Sequence, residues 1–184
     1  KLEITNQDAT VLSYLKNELK KYNLNLVHRD NYTYGISYDM HQHDTRNNKN
    51  IFLQVLKDCN LINNKHIPDV YKINDSKTRL ELLAGIIDTD GSYCSKSKGY
   101  DIIQKNEVLA NDILYIGRSL GFTANMTKCE KSCMYKGEMK TGIYYRIHLS
   151  GNGLSSIPVK CPRKMALEER VIRSEEHTSE LQSQ

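Results

Sequence analysis

Leu82–Gly91 reads LLAGIIDTDG, and this stretch predicts more about the fold than any other part of the chain. Ala84 and Gly85 lie between pairs of large apolar residues, which predicts a helix with one face that a second helix can approach closely. Asp88 and Asp90 would lie at the C-terminal end of this helix, where each acidic residue opposes the helix dipole by roughly 0.3–1 kcal/mol. Two such residues together therefore indicate a functional role, and carboxylate oxygens suit a hard divalent cation.

The ends of this motif helix are also marked in the sequence. Asp75 or Ser76 can cap its N-terminus with a side-chain oxygen. Gly91 is expected to end it in a left-handed conformation. Apolar periodicity and turn residues divide the preceding part of the chain into short elements. These are a strand at Lys1–Thr5, a helix at Asp8–Tyr22, strands at Leu24–Val27 and Tyr32–Tyr38 around the turn residues Asp30 and Asn31, a polar loop at His41–Asn50 and a helix at Ile51–Leu61.

A second series of elements follows the motif. It comprises a hairpin of Tyr93–Lys96 and Tyr100–Gln104 with Gly99 in the turn, a helix at Glu107–Leu120, strands at Phe122–Lys128 and Ile143–Leu149 around a polar loop at Glu130–Gly142, and short helical pieces at Leu154–Ile157 and Lys164–Ile172. The two series share an order of helix, break, strand, loop and strand. Because the loop lengths differ, the pattern indicates a diverged duplication and not a short-period solenoid.

The composition is that of a globular, soluble chain, with 39% apolar and 26% charged residues. No apolar run reaches the roughly 20 residues that span a bilayer, and no signal peptide opens the chain. The five cysteines are odd in number and irregularly spaced. This usage favours reduced thiols in an intracellular protein, of the cytoplasm or the nucleus.

The C-terminal segment Arg173–Gln184 reads RSEEHTSELQSQ and resembles the translation of a sequencing-library adapter. We expect 173–184 to be an artefact that replaces a lost natural segment and, like an expression scar, takes no part in the fold. Without its one arginine and three glutamates, 25 basic and 19 acidic residues remain, a net charge of +6. This surplus favours a polyanionic partner.

The motif LLAGIIDTDG resembles the one that names the LAGLIDADG homing endonucleases, with Ile86 and Ile87 in place of Leu-Ile and Thr89 in place of Ala. Lys65–Pro68, Arg118–Gly121 and Ile157–Lys164 are similar to blocks of the endonucleases embedded in inteins. The resemblance implies an α+β fold of two αββαββα pseudo-repeats with antiparallel, saddle-shaped sheets. Residues 1–73 would be the first repeat without its motif helix, and 74–172 the second repeat.

The resemblance also implies a site-specific double-stranded DNA endonuclease that requires Mg²⁺. Two motif helices would pack side by side, with Asp90 as the catalytic metal ligand of the second repeat and its counterpart preceding Lys1. Asp88 would support the helix end. A lysine of each repeat would lie near the active-site water, and Lys65 matches the first. For the second we favour Lys164, with Lys160 as the alternative.

The sheets would hold DNA in its major groove. Strand alternation predicts that Tyr145, Ile147 and Leu149 face the helices, while their neighbours face out. The residues expected to contact DNA are Lys96, Lys98, Lys105, Asn125, Thr127, Lys128, Tyr144, Arg146 and His148. The implied partners are a DNA target site and an intein splicing domain in the same full-length chain, with the complete protein a monomeric pseudo-dimer.

Two alternatives remain open from the sequence. The first is a cleavage-deficient DNA- or RNA-binding protein of the same family, such as a degenerate intein or an intron maturase. The second is a zinc site at Cys129 and Cys133, whose spacing is permissible with Cys161 or His148 as a further ligand.

Overall fold

The computed structural model describes residues 2–38, 50–135 and 137–167. Helices and antiparallel strands alternate along them, as in an α+β protein. The elements are β1 (Glu3–Thr5), α1 (Ala9–Lys20), β2 (Leu24–Asp30), β3 (Thr33–Tyr38), α2 (Ile51–Asp58), α3 (Asp69–Lys72), α4 (Ser76–Asp90), β4 (Gly91–Cys94), β5 (Gly99–Gln104), α5 (Glu107–Ser119), β6 (Thr123–Tyr135), β7 (Glu138–Ser150) and short 3₁₀ helices at Leu154–Ser156 and Pro162–Lys164.

The strands form two sheets, with the orders β1-β3-β2 and β4-β5-β7-β6. Every neighbouring pair is antiparallel. The first sheet is built from the sequence β1–α1–β2–β3, and β5–α5–β6–β7 has the same order. In both, the strand before the helix pairs with the last strand of the following hairpin.

The core lies between the second sheet and the helices α4 and α5. Tyr100, Ile102, Ile147 and Leu149 point from the sheet into this core and are completely buried. The predicted alternation of β7 is therefore confirmed on its inner side. Val11 of α1 joins the same core, so that the first half of the chain packs against the second.

The first sheet and α2 are less well covered. Leu26 and Ile36 face each other across β2 and β3 but are only half-buried. No residue of α2 is buried, and Ile51 and Val55 on this helix are 47% and 41% exposed. An amphipathic helix normally buries its apolar face.

The polar loop predicted at Glu130–Gly142 is wrong. Within the described residues, β6 and β7 continue as a two-stranded ribbon, with register pairs from Thr123↔Ser150 to Tyr135↔Glu138. Strand alternation is visible in a sequence only where one face is buried. Both faces of this ribbon carry exposed polar residues. The apolar–polar alternation is therefore absent from the sequence, although the backbone hydrogen bonds between the strands continue.

Two glycines act differently from expectation. Gly91 ends α4 with φ −91° and ψ 165°, which is extended and not left-handed. A Cβ at Gly91 would lie 2.8 Å from the Ile87 Cα, so the close turn from helix into strand requires glycine. Gly99 lies in β5 opposite Cys94, not in the turn, where Lys98 has φ 50°.

Several predicted boundaries lie at or beyond the limits of the description. The loop expected at 41–50 is described only at Asn50, which caps α2. The helical piece expected at 164–172 is described only to residue 167, and the 3₁₀ helix there begins earlier, at Pro162.

No helix in the described ranges is long and apolar enough to cross a membrane. Among the cysteines whose side chains the structure describes, Cys59, Cys94, Cys129 and Cys161 are free thiols.

Candidate active site

The motif helix α4 begins at Ser76 and ends at Asp90, between the predicted caps Asp75 and Gly91. The Asp75 carboxylate caps its N-terminus by accepting a hydrogen bond from the Thr78 backbone N–H at 2.7 Å. Leu83 and Ile87 are completely buried against the core. The last turn of α4 is thereby fixed, and its acidic residues occupy defined positions.

Asp88 is only 6% exposed, and its carboxylate is used inside the protein. Its Oδ1 accepts a hydrogen bond from the Cys161 backbone N–H at 2.9 Å, and its Oδ2 accepts one from the Lys160 N–H at 3.0 Å. These bonds attach the segment Ile157–Lys164, here named the closing segment, to the end of α4. Asp88 therefore supports the helix end.

Lys164 caps the C-terminus of α4. Its side chain is buried, and its Nζ donates hydrogen bonds to the carbonyl oxygens of Ile87 at 2.9 Å, Asp88 at 2.8 Å and Thr89 at 3.4 Å. An ammonium group at this end of a helix is favoured by the dipole. Burial lowers the pKa of Lys164, and the neighbouring charge of Arg163 acts in the same direction. The three carbonyl oxygens stabilise the charged form.

Asp90 lies exposed at the tip of α4. Its Oδ2 accepts a hydrogen bond from Gln104 Nε2 at 2.8 Å. Gln104 is at the end of β5 and is 7% exposed, and we did not identify it from the sequence. The available signal was a polar residue at an inward position, after Tyr100 and Ile102 in the same alternation. Buried polar side chains have partners, and this partner is Asp90.

A polar cleft of about 240 Å³ lies beside the last turn of α4. Arg163 and Lys164 line one part of it, and polar residues at the end of β1, including Asn6 and Gln7, line another. Lys65 is not among the lining residues. The cleft thus combines both halves of the chain with the closing segment.

Lys65 is exposed, in a segment that is fixed to the second half of the chain. The buried Asp112 of α5 accepts hydrogen bonds from the Ile67 backbone N–H at 2.8 Å and from Lys72 Nζ at 2.9 Å. Lys160, the alternative second lysine, is also exposed and lies over the Tyr14 ring, with its Nζ 5.2 Å from the ring centroid.

The small residues of α4 have different surroundings. Ala84 is buried, but Gly85 is exposed, and a Cβ placed on Gly85 would meet no atom within 4 Å. In the described part of the chain, no helix lies against Gly85. A groove of about 100 Å³ lies along this face and is lined by Glu81, by Tyr14 of α1 and by Lys160.

A divalent cation fits Asp90 as one ligand among several. The described ranges contain no group of three or more His, Cys, Asp or Glu residues that could hold a metal ion. Mg²⁺ usually keeps several waters and takes only one or two carboxylates together with substrate phosphates. Because Gln104 occupies one oxygen of Asp90, and no described residue donates to the other, the carboxylate is both oriented and open.

The outer face of the second sheet carries most of the residues expected to bind a polyanion. Register pairs place Asn125 beside His148 and Thr127 beside Arg146 on this face. Tyr144 belongs to the same row of β7 and is half-buried. Lys96 and Lys98 lie in the β4–β5 turn, and Lys105 follows β5. The sheet thus brings one set of polar side chains together on one surface.

Lys128 lies on the other face. It pairs with Tyr145, which points to the helices, and its Nζ lies 5.6 Å from the centroid of that ring. Its inner position follows from the alternation of β6, in which Asn125 and Thr127 belong to the outer row. Lys131, which is exposed, belongs to the outer row.

The zinc alternative finds no complete ligand set among the described residues. Cys161 is buried, and its thiol donates a hydrogen bond to Asp8 Oδ2 at 2.8 Å. His148 Nδ1 is engaged by Asp101. The side chain of Cys133 lies outside the description.

Residues 66–175, more than half of the chain, match the family model described as homing endonuclease. The chain belongs to the homing endonuclease family. Members of this family are site-specific DNA endonucleases, which hydrolyse phosphodiester bonds. No curated protein matches this homing endonuclease by sequence.

Solved structures of I-DmoI resemble this homing endonuclease in fold. Mesophilic variants of I-DmoI give a TM-score of 0.50 at 12% identity, over 80% of this chain and 72% of theirs. A variant of I-DmoI in complex with its target DNA in the presence of Mg gives 0.48 at 13% identity, over 80% and 72%. I-DmoI in complex with DNA and Ca gives 0.47 at 13% identity, over 80% and 67%. The first likeness shows the expected α+β fold with antiparallel sheets.

Proposed function

We propose that this homing endonuclease cleaves double-stranded DNA at a specific site, with Mg²⁺ bound by Asp90. The observation that carries the proposal is the exposed Asp90 carboxylate at the tip of α4, oriented through one oxygen by the buried Gln104. A carboxylate oxygen that is free of other donors suits a hard divalent cation. When bound there, Mg²⁺ would activate water and stabilise the leaving oxygen.

We propose different parts for the two lysines. Lys65 is exposed and keeps a direct role, in which its ammonium group stabilises negative charge developing on the phosphate. Lys164 donates all its hydrogen bonds to carbonyl oxygens of α4. It therefore acts as a positioning residue that holds the helix end carrying Asp90.

DNA is proposed to lie against the outer face of the second sheet. Asn125 and Arg146 have the chemistry that reads adenine and guanine edges in the major groove. Lys96, Lys98 and Lys105 lie at the ends of β4 and β5, where they can meet phosphates. Lys128 lies beside Tyr145 in the inner row, and we propose that it contributes little to DNA binding.

We propose a duplicated architecture, with 1–73 and 74–172 as pseudo-repeats and 173–184 as an artefact. The shared order of β1–α1–β2–β3 and β5–α5–β6–β7 supports it. The sequence contains one acidic motif helix, so Asp90 is its single metal-binding carboxylate. A two-metal site needs further carboxylate ligands. We therefore propose that the chain by itself cuts DNA inefficiently, and that the complete protein is a monomeric pseudo-dimer.

We also propose that this endonuclease is embedded in an intein. This context is supported by Lys65–Pro68 and by the closing segment, which resemble intein blocks. The test is to express the continuous reading frame around this chain and analyse the product by mass spectrometry. A ligated product of both flanks is expected; flanks that stay joined to this chain would contradict the intein context alone.

A second candidate is DNA or RNA binding without cleavage. The single acidic motif in the sequence favours it. One cleavage assay distinguishes the two candidates. A duplex that the chain binds is first selected and placed in a plasmid. The plasmid is then incubated with a protein in which a second acidic helix is joined to this chain. Cleavage in Mg²⁺ that is lost in Asp90→Asn, with binding retained, supports the endonuclease. The matched control is Asp58→Asn, the same change at an exposed carboxylate of α2. Equal cleavage by Asp90→Asn would remove Asp90 from the active site.

A further inference from the structure

His148 and Asp101 form a side-chain pair on the outer face of the second sheet. They are cross-strand neighbours of β7 and β5, and His148 Nδ1 donates to Asp101 Oδ1 at 2.9 Å. Both are only partly buried, with side chains 30% and 29% exposed. A carboxylate on a face that meets polyanionic DNA is electrostatically unfavourable. Solvation alone therefore does not explain why a carboxylate, Asp101, lies on this face.

Gly99 completes the environment of the imidazole. It lies two residues from Asp101 along β5, and a Cβ there would lie 2.8 Å from His148 Cε1 and 3.0 Å from Nε2. Any side chain at this position would displace the ring or cover its Nε2. A Cβ there would also lie 2.5 Å from the Leu149 carbonyl oxygen, so glycine lets both the strand and the imidazole ring lie close to β5. Within the described residues, Nε2 has no hydrogen-bond partner.

The Asp101 contact fixes which nitrogen of His148 carries the proton. A carboxylate only accepts hydrogen bonds, so Nδ1 must be the protonated nitrogen. In the neutral ring, Nε2 is then the acceptor. Acceptors in the major groove select bases that offer an amino group there, which are adenine through N6 and cytosine through N4.

We propose that His148 reads one base pair of the target through Nε2, with adenine or cytosine as the base, and that Asp101 is the positioning residue that sets the tautomer. This inference rests on the proposed DNA-binding face. Asn125, the opposite neighbour of His148, is exposed in the same row and can read the adjoining base. The row Asp101–His148–Asn125 thus combines one orienting residue with two that contact bases.

The first test is a binding selection from duplex DNA with a randomised central segment, using the full chain and four variants. His148→Ala and Asp101→Ala are each expected to reduce the preference at the same base pair about tenfold, within the usual cost of one mismatch. Asp101→Asn keeps an acceptor for Nδ1–H and should retain the preference. Glu138→Ala, which removes an exposed carboxylate from the same row of β7, is the matched control and should also retain it.

The second test does not depend on DNA. Ring nitrogen chemical shifts of His148 in the free chain are expected to show a protonated Nδ1 and an unprotonated Nε2, and to change to mixed tautomers in Asp101→Ala. A protonated Nε2 with a bare Nδ1 would overturn the inference, as would an unchanged base preference in Asp101→Ala or selection of guanine or thymine at that position. Those results leave the proposed function standing. Failure of the native chain to enrich any sequence would count against both.

Discussion

The Asp88 carboxylate accepts a hydrogen bond from the Cys161 backbone N–H at 2.9 Å, across 73 residues of sequence. With Lys164 under the same helix end, this contact attaches the closing segment to the last turn of α4. The Cys161 thiol also reaches Asp8 at the N-terminus of α1. One short segment thus connects the first half of the chain to the helix that carries Asp90.

Asp88→Ala should destabilise the fold, because it leaves the Lys160 and Cys161 amides without their acceptor. An unsatisfied buried group costs about 1–3 kcal/mol, so we expect a loss of about 2–4 kcal/mol in the free energy of unfolding. Urea titration measures it. Glu81→Ala, an exposed change on the same helix, should stay within about 0.5 kcal/mol. Equal effects of the two changes would contradict a supporting role for Asp88.

Gly85→Ala and Gly91→Ala should act in opposite directions. A Cβ at Gly85 meets nothing within 4 Å, so alanine should stabilise this chain by about 0.5–1 kcal/mol through helix propensity. A Cβ at Gly91 would meet the Ile87 backbone, so alanine should cost about 1–3 kcal/mol. Thermal unfolding of both variants is the measurement.

The Gly85 change also tests the paired-helix proposal. In a protein with a second acidic helix packed on this face, the same alanine should be destabilising, because the helices approach through small residues. A stabilising effect in both proteins would mean that no helix packs against Gly85.

Asp8→Asn should alter the dependence of stability on pH. The hydrogen bond from the Cys161 thiol holds the pKa of the Asp8 carboxyl below its ordinary value of 3.8, and burial opposes this only in part. The folded form thus binds the proton more weakly than the unfolded chain. The ionised Asp8 carboxylate therefore stabilises the folded chain above pH 3.8, and this stabilisation is lost as the pH falls through the lowered pKa.

The measurement for Asp8→Asn is urea unfolding of both proteins at a series of pH values. The variant should be less stable at neutral pH, and the difference should shrink in acid. Asparagine keeps a side-chain oxygen for capping α1, so the cap itself is retained. A difference that stays constant across the series would show that the charge of Asp8 is not involved.

Arg146→Ala and Lys128→Ala should show which face of the second sheet binds DNA. Arg146 is exposed on the outer face, so its loss should weaken binding to a selected duplex by about 1–3 kcal/mol. Lys128 lies beside Tyr145 in the inner row, so its loss should change binding little. Fluorescence anisotropy at fixed salt measures both. A larger effect of Lys128 would place the DNA on the other face.

Local patterns decided which elements the sequence could predict. The cap at Asp75 and the alternation of Tyr145, Ile147 and Leu149 were predicted and are found in the structure. Each depends on residues a few positions apart, where helix and strand periods apply. The strands at Phe122–Lys128 and Ile143–Leu149 were also predicted, but their continuation through 130–142 was not, because residues exposed on both faces give no period.

The sequence by itself determined the motif helix, its acidic tip and the family, because LLAGIIDTDG carries its packing and its chemistry within ten consecutive residues. Only the tertiary structure decided what each polar group contacts. Gln104 meets Asp90 across 14 residues, and Lys164 reaches Ile87 across 77. Partners at such separations depend on how the sheet and the closing segment fold back onto α4, and no local period encodes that.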